Sequence, residues 1–432
     1  MSDDLADPRN DRLGSRADVD PDDLPRTLLI TVTGLDRPGV TASLSAAMSI
    51  HEVEVLDVEQ VVIRGRLTLG MLVGPAASLE HGAVLVLEAA ARTAAQVAID
   101  LGMDADTTLG AAEHDGRRRE RLLVTVIGHP LVPAALSGLA RRISEQGGNI
   151  ERIVRTASYP VTAVELTVTG ADLGRLRDAL TETSASLGID VAVQRAGLRG
   201  RGTYLVVMDV DSTLIQDEVI ELIARHAGCE DEVRAITERA MRGELDFAAS
   251  LHERVALLAG VEESALDDVR HEVRMTPGAR TLVRTLKRLG FRVAVVSGGF
   301  SAVVQPIADE LGIDHARANV LEVSDGRLTG RVVGDVIDRA AKARALQEFA
   351  ALDGIPLDRT IAIGDGANDL DMLSVAGLGI AFNAKPVVRA QADTGITVPF
   401  LDPVLYLLGI TREEIEQADA ADGTPTPAPP VR

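Results

Sequence analysis

The stretch Val206-Val207-Met208-Asp209-Val210-Asp211-Ser212-Thr213-Leu214 decides the fold of this chain. Its apolar half, from Tyr204 to Met208, is short and valine-rich, which suits a strand buried on both faces of a parallel sheet. Such sheets place ligands beyond the carboxyl ends of their strands, so Asp209 and Asp211 are predicted to stand at a site. Neither acid has a Lys or Arg beside it in sequence. Their mutual repulsion calls for a hard cation with oxygen ligands, most simply Mg²⁺. Taken alone, D-x-D is equally an Asp-rich turn after a strand, and the remaining segments have to choose.

Three of them repeat the pattern of an apolar run that stops at a polar residue. Phe291 to Val296 runs into Ser297-Gly298-Gly299-Phe300, where a hydroxyl and open backbone N–H groups at a predicted helix start favour an anion such as phosphate. Thr360 to Ile363 runs into Gly364-Asp365-Gly366-Ala367-Asn368-Asp369, with two more acids four apart. Between them, Asp338-Arg339-Ala340-Ala341-Lys342-Ala343-Arg344 reads as a helix presenting one ammonium. Singly, these fit an ordinary strand-to-helix turn or a solvated lysine. Together they assemble one site.

Strand ends carrying D-x-D-S-T, Ser-Gly, Lys and G-D-G-x-N-D, in that order, resemble the haloacid dehalogenase-like phosphatase superfamily over roughly residues 203 to 395. The resemblance implies an α/β fold with a Rossmann-like parallel sheet. It further implies Asp209 as nucleophile, Asp211 as general acid and base, Ser297 and Lys342 on the phosphoryl group, and Asp365 on Mg²⁺, with Asp211 reaching the metal only through its main-chain carbonyl. The chemistry asks for the same residue types. A carboxylate nucleophile divides hydrolysis into formation and breakdown of an aspartyl-phosphate. A cation, a lysine and backbone N–H groups hold the phosphoryl oxygens, as a loose transfer requires. Asp211 has to point at the leaving oxygen to protonate it and then take a proton from water. Asp369, four residues after Asp365, is expected one helical turn further on, orienting water or Lys342.

Between the first two motifs, residues 215 to about 280 read as a small helical cap. Val219-Ile220, Leu222-Ile223 and Ala227, then Ile236, Ala240-Met241, Phe247, Leu251, Val255 and Leu258, recur at spacings of three and four. Asp209 through Glu218, with Met241, Phe247, Arg254 and Val295-Val296-Ser297-Gly298-Gly299-Phe300, is similar to the phosphoserine phosphatase family. By position, that likeness puts Glu218 on the substrate ammonium and Arg254 on its carboxylate, with Met241, Phe247, Ser297, Gly298 and Asn368 around the substrate. A zwitterion needs such an opposed pair, and a guanidinium suits a carboxylate. On spacing alone, Glu218 and Arg254 also fit ordinary helix-surface ion pairs with Arg225, Glu221 and Glu253.

About 200 residues precede the nucleophile strand, and their message is repetition. Leu28-Leu29-Ile30-Thr31-Val32-Thr33-Gly34 matches Leu122-Leu123-Val124-Thr125-Val126-Ile127-Gly128 at an offset of 94. Each run is followed by a helix (Thr41 to His51, Ala134 to Gln146), two strands (Val53 to Ile63 and Leu67 to Val73; Ile150 to Ser158 and Val161 to Val168) and a second helix (Ala83 to Leu101, Leu173 to Leu187). Two βαββαβ units of α+β, ferredoxin-like type follow, at 25–104 and 121–196. The loop Gly34-Leu35-Asp36-Arg37-Pro38-Gly39-Val40 resembles that of an ACT domain, a regulatory module that binds amino acids. The likeness marks Asp36, Gly39 and Gly128 as candidate effector contacts, with L-serine the expected effector and a homodimer through these domains the expected assembly. The second copy keeps Gly128 but carries Pro130, Val132 and Pro133 where the first has Asp36, Pro38 and Gly39.

The charge balance, 65 acids against 44 Lys and Arg for a net of −21, argues against nucleic acid or an anionic membrane as partner. It also repels a phosphate ester, so a local cluster of Mg²⁺, Lys342 and Arg254 has to overcome it. One cysteine, Cys229, excludes an intrachain disulfide and suits a reducing, cytoplasmic compartment. The acidic start carries no signal peptide, and no apolar run is long enough to span a membrane. Residues 1–24 and 418–432 read as disordered ends around a phosphatase domain at 203–412. The expected function is Mg²⁺-dependent hydrolysis of O-phospho-L-serine to L-serine and phosphate, the last step of serine biosynthesis. Another small phosphorylated alcohol, or phosphoserine in proteins, stays open as substrate, as does a non-catalytic amino-acid sensor.

Overall fold

The structure is a computed structural model and describes residues 28–36, 38–49, 54–74, 100–104, 121–196, 204–241 and 244–427. The N-terminal 24 residues, the expected helix after Ala83 up to residue 99, the charged joint before Arg121 and the glycine-rich hinge from residue 197 lie outside the described residues. The chain divides into two compact units, residues 1–118 and 119–432.

In the first unit, β1 (Leu28–Leu35), β2 (Glu54–Ile63), β3 (Arg66–Gly74) and β4 (Asp100–Asp104) pair antiparallel in the order β2-β3-β1-β4. Asp100 and Leu101 therefore open a strand, where the sequence predicts the end of a helix. Alternate residues Ile30 and Val32 of β1 and Leu67, Leu69, Met71 and Val73 of β3 make one buried face. The helix Val40–Met48 covers it with Val40, Leu44 and Met48, four apart and so on one side of the helix.

The second unit begins with the repeat. β5 (Arg121–Gly128), β6 (Asn149–Ala157), β7 (Thr162–Thr169) and β8 (Asp190–Arg195) run β6-β7-β5-β8, with helices Pro133–Glu145 and Leu173–Leu187 packed over Val124, Val126, Leu166 and Val168. Ile127, Ala157, Val161, Ala163 and Ala192 instead join the apolar cluster of the following domain.

That domain is a seven-stranded sheet of β9 (Leu205–Met208), β10 (Arg292–Phe300), β11 (His315–Ser324), β12 (Arg327–Val333), β13 (Thr360–Gly364), β14 (Leu378–Phe382) and β15 (Thr394–Ile396), ordered β12-β11-β10-β9-β13-β14-β15. All pairs are parallel except the β11-β12 hairpin. The valine run of β9 is buried on both faces: Val206 and Met208 pack with the helices Ala279–Arg288 and Ser301–Leu311, Leu205 and Val207 with Arg339–Leu352 and Leu370–Val375. Four helices, Val219–Ala227, Glu230–Met241, Phe247–Ala256 and Ala265–Glu272, form the cap between β9 and β10.

The second small domain is docked on this sheet. Thr394 Oγ1 of β15 donates to Val191 O of β8 (2.7 Å), Thr397 N donates to Asp190 Oδ2 (2.8 Å), and Arg177 pairs with Asp393 (2.5 Å). The shared apolar cluster and these bonds, not a linker alone, hold the two domains together.

One expectation fails at the C-terminus. Residues Ala418 to Ala421 are not a disordered tail but the end of a helix, Arg412–Ala421, which opens on a Thr411/Glu414 capping box. Asp419 is fully buried and accepts from Arg284 (2.9 and 2.6 Å), Arg288 and Thr426 Oγ1 (2.6 Å), which anchors the helix on the core. Two guanidiniums beside it hold its carboxyl below the ordinary value despite burial. Both arginines are about a quarter exposed. Asp419→Ala is therefore expected to lower unfolding stability by about 1–3 kcal/mol in urea denaturation, not by the larger amount of a fully buried pair.

Candidate active site

The parallel register brings the acids together. Ile361 and Ile363 of β13 lie opposite Val206 and Met208 of β9, and Asp209 N donates to Ile363 O (2.9 Å), so Asp209 and Asp365 leave adjacent strand ends. On the other flank Val295 lies opposite Met208, which puts Ser297 beside them. The chain after Asp209 makes one wide turn, Val210–Leu214, with Ser212 in the left-handed region (φ 58°). Lys342 comes from the first turn of Arg339–Leu352, a helix capped by Asp338, whose carboxylate accepts from Ala341 N (2.7 Å).

Lys342 is completely buried, and its Nζ donates to Asp209 Oδ2 and Asp369 Oδ1, both at 2.7 Å. Burial alone would lower the ammonium, but the charges of Asp209 and Asp369 outweigh it and hold its pKa above the ordinary value. Burial, then the charge of Asp369, push the Asp209 carboxyl well up against the pull of Lys342. Burial, then Asp369, also raise Asp365 to about 6, although Thr213 Oγ1 donates to its Oδ1 (3.1 Å). Asp209, Asp365 and Asp369 each offer an oxygen within 4.8 Å of the others. One ammonium leaves this group with excess negative charge, and its all-oxygen donor set fits a hard divalent cation. The expected metal set included Asp209 and Asp365. Asp369 joins them in space, yet both its oxygens are engaged, Oδ1 by Lys342 and Oδ2 by Gly366 N (3.0 Å).

Asp211 points away from that cluster. Its Oδ1 accepts from Val219 N and its Oδ2 from Ser297 Oγ, both at 2.8 Å. Burial raises its pKa against those bonds. Ser297 is not at a helix start: β10 continues to Phe300 and the helix begins at Ser301. Its hydroxyl is fully buried between Asp211 and Gly299 N, which donates to it (2.7 Å). A Cβ at Gly299 would lie 2.7 Å from Asp211 Oδ2, so only glycine lets the strand end approach the acid.

Over these groups lies a pocket of about 120 Å³, lined by Asp209, Asp211, Asp365, Gly298, Gly299 and Asn368 from the core and by Glu218, Ile220, Phe247, Leu251 and Arg254 from the cap. A roomier cleft of about 680 Å³ between the helix Leu173–Leu187 and residues 386–395 lacks the strand-end acids. Glu218 is exposed, yet the surrounding protein, then the charge of Asp211, push its carboxyl up to about 7, while Ser212 Oγ donates to Oε1 (2.8 Å). The Arg254 side chain donates from Nε to Ser250 O (3.2 Å) and from Nη1 to Thr237 Oγ1 (3.5 Å). The surface ion-pair reading of these two residues therefore fails. Arg225 pairs with Glu272 and Glu253 with Arg239, which leaves Glu218 and Arg254 without salt-bridge partners among the described residues.

Residues 206–374 match the haloacid dehalogenase-like hydrolase family, and residues 26–104 and 122–194 each match an ACT domain. A phosphoserine phosphatase of Streptomyces coelicolor is 58% identical over 91% of this chain and 94% of its own. The phosphoserine phosphatase SerB2 of Mycobacterium tuberculosis is 50% identical over 92% and 96%. The chain belongs to the phosphoserine phosphatase family. A solved structure of a probable phosphoserine phosphatase from Vibrio cholerae, in unliganded form, is 34% identical and superposes with a TM-score of 0.53 over 69% of this chain and 89% of its own.

Of the residues expected in a phosphoserine phosphatase site, the structure brings Asp209, Asp211, Glu218, Phe247, Arg254, Gly298, Asp365 and Asn368 to one pocket, with Lys342, Ser297 and Asp369 directly behind it. The side chain of Met241, at the end of Glu230–Met241, lies outside the described residues. The candidate effector residues fall in separate units. Gly39 caps the helix Val40–Met48 in the left-handed region (φ 94°) with open space beside it, and Asp36 is exposed with its N–H donated to Gly65 O (2.9 Å). Gly128 is instead filled by its own turn, since a Cβ there would lie 3.1 Å from the Leu131 backbone. Sequence reasoning gave no role to Ser212 and Thr213, although the D-x-D-S-T run contains both.

Replacing Lys342 with Met strands Asp209 and Asp369 without a counter-charge. Chemical denaturation of Lys342→Met is expected to show a loss of about 3–5 kcal/mol. A loss below 1 kcal/mol would mean that the acids are satisfied some other way.

Proposed function

We propose that this enzyme hydrolyses free O-phospho-L-serine to L-serine and phosphate through an aspartyl-phosphate on Asp209, with Mg²⁺ bound by Asp209, Asp365 and the Asp211 main-chain carbonyl. The observation that carries the reading is the pair of unspent charges, Glu218 and Arg254, facing the strand-end acids across one small pocket. A substrate with phosphate at one end and a zwitterion at the other answers all three. The pocket volume of about 120 Å³ favours a free amino-acid ester over a protein loop.

In this reading the cap binds and the core reacts. Glu218 takes the ammonium and Arg254 the carboxylate, which orients the ester bond over Asp209. Lys342, the N–H of Gly298 and the Ser297 hydroxyl, once it turns from Asp211, hold the phosphoryl oxygens. When bound, Mg²⁺ supplies charge neutralisation between the phosphate and the acids. The Asp209 carboxylate attacks phosphorus as the bond to the serine oxygen breaks, and Asp211 gives that oxygen its proton. The raised pKa of Asp211 suits a group that must arrive protonated. Asp211 then takes a proton from water, whose oxygen attacks the aspartyl-phosphate and releases phosphate, restoring Asp209. Asp369 keeps Lys342 aimed at Asp209.

The paired ACT domains support amino-acid control, with L-serine as effector at the Asp36–Gly39 loop, and assembly as a homodimer. The edge strand β2 exposes Val55, Val58, Val61 and Ile63, an apolar edge of the kind that pairs with another chain. No helix among the described residues is long and apolar enough to cross a membrane. A cytoplasmic site and a place at the end of serine biosynthesis accord with the substrate.

Phosphate release from O-phospho-L-serine, with p-nitrophenyl phosphate and phosphothreonine beside it, tests the reading. Mg²⁺-dependent turnover preferring phosphoserine is expected. Asp209→Asn should lose at least about 10³-fold in kcat, and Arg254→Ala should raise KM about 10- to 100-fold for phosphoserine alone. Because the ammonium needs ionised Glu218, KM should fall as pH rises through about 7, and Glu218→Gln should remove that component. Turnover confined to the comparison substrates would move the assignment to another phosphate ester.

A further inference from the structure

The cap joins the core through two chain crossings, residues 214–218 leaving and 273–276 returning. At this neck Ile215 and Met275 form an antiparallel bridge, Gln216 N donates to Arg274 O (2.9 Å), and Thr276 N donates to Leu214 O (3.0 Å). The densest contact is at Asp217. Its carboxylate, 10% exposed, accepts from the backbone N–H of Arg274 (2.8 Å), from Arg274 Nη2 (2.6 Å) and from Arg274 Nε (3.2 Å). The guanidinium is 68% exposed, so solvent screens the charge attraction. What the contact supplies is direction, because a planar fork and a backbone N–H together admit one carboxylate orientation.

Glu218 is the next residue. On its other side Val219 N donates to Asp211 Oδ1 (2.8 Å), so the backbone of Glu218 is pinned between the returning crossing and the acid beside the nucleophile. Among the described residues its side chain has one tether, the Ser212 hydroxyl (2.8 Å), and no basic partner. The aim of the carboxylate thus depends on where the backbone is held.

We propose that Asp217, through its clamp on Arg274, is a positioning residue for substrate recognition: it fixes the backbone from which Glu218 meets the substrate ammonium. The inference rests on the role given to Glu218 above. Loss of the clamp loosens Glu218 but leaves Asp209 and Asp365 on the rigid strand ends and Lys342 on its buried helix turn. The penalty therefore falls on binding of a substrate that carries an ammonium, and not on phosphoryl transfer from one that lacks it.

The test measures kcat and KM of the full chain with Mg²⁺ on O-phospho-L-serine and p-nitrophenyl phosphate, for Asp217→Ala, Asp217→Asn, Arg274→Ala, Glu218→Gln and the D217A/E218Q double variant. Asp217→Ala is expected to raise KM for phosphoserine about tenfold while kcat/KM for p-nitrophenyl phosphate stays within about twofold. Arg274→Ala, which keeps the backbone N–H contact, should do less. In the Glu218→Gln background, Asp217→Ala should add almost nothing, since the two act on one contact. Equal losses on both substrates, or fold-changes that multiply in the double variant, would overturn the proposal and leave Asp217 a general support of the cap. If Asp217→Ala does not fold, Asp217→Asn, which keeps an acceptor for the Arg274 N–H, is read by the same comparison. A wild-type enzyme that ignores phosphoserine overturns the function itself, an outcome separate from all of these.

Discussion

The structure of the site depends on one buried ammonium. Lys342 Nζ, without solvent contact, bonds the end of β9 at Asp209 and the turn after β13 at Asp369, so a single charge fixes the helix Arg339–Leu352, β9 and the Gly364–Asp369 turn against each other. Close packing around it leaves no room for variation. A Cβ at Gly364 would fall 2.4 Å from Asp369 Cγ, so that acid reaches the lysine only because the strand ends in glycine. The same arrangement leaves the acids in excess of the cation. That surplus is costly by itself, and the site's all-oxygen donor set fits a hard divalent cation, which would offset the charge.

Rigidity and selectivity are divided between core and cap. The strand ends of β9, β10 and β13 hold the reacting groups by register and by bonds from neighbouring main chain, which leaves little to adjust. In the proposed reading the cap contributes the residues that tell one phosphate ester from another. Among the described residues Glu218 and Arg254 make no ion pair, while nearby Arg225 pairs with Glu272 and Arg239 with Glu253. The charge of Glu218 acts on Arg254 across the pocket without a direct ion pair, which leaves both heads open to a ligand.

Much of this was legible in the sequence because it is written locally. An apolar run ending in polar residues marks a strand end, and three such ends in order, with a helix lysine between the second and third, mark one sheet edge. The offset of 94 between Leu28 and Leu122 announced the repeated small domain, and the spacing of Val219, Ile223, Leu251 and Val255 announced the cap helices. What escaped depends on partners distant in sequence. The helix Arg412–Ala421 looked like a tail because its anchor, Asp419, meets Arg284 and Arg288 about 130 residues away. Ser297 read as standing at a helix start, whereas it lies inside the end of β10 with its hydroxyl tied to Asp211. The docking of β8 on β15 and the Asp217–Arg274 clamp carry no periodicity at all.

The central claim is that Asp209 becomes phosphorylated. Mixing the enzyme with O-phospho-L-serine, quenching in acid within the first turnovers and mapping the phosphorylated peptide by mass spectrometry tests it directly. The account predicts phosphate on the peptide that contains Asp209, labile to base and absent from Asp209→Asn. Phosphate on another residue, or turnover that persists in Asp209→Asn, would contradict it.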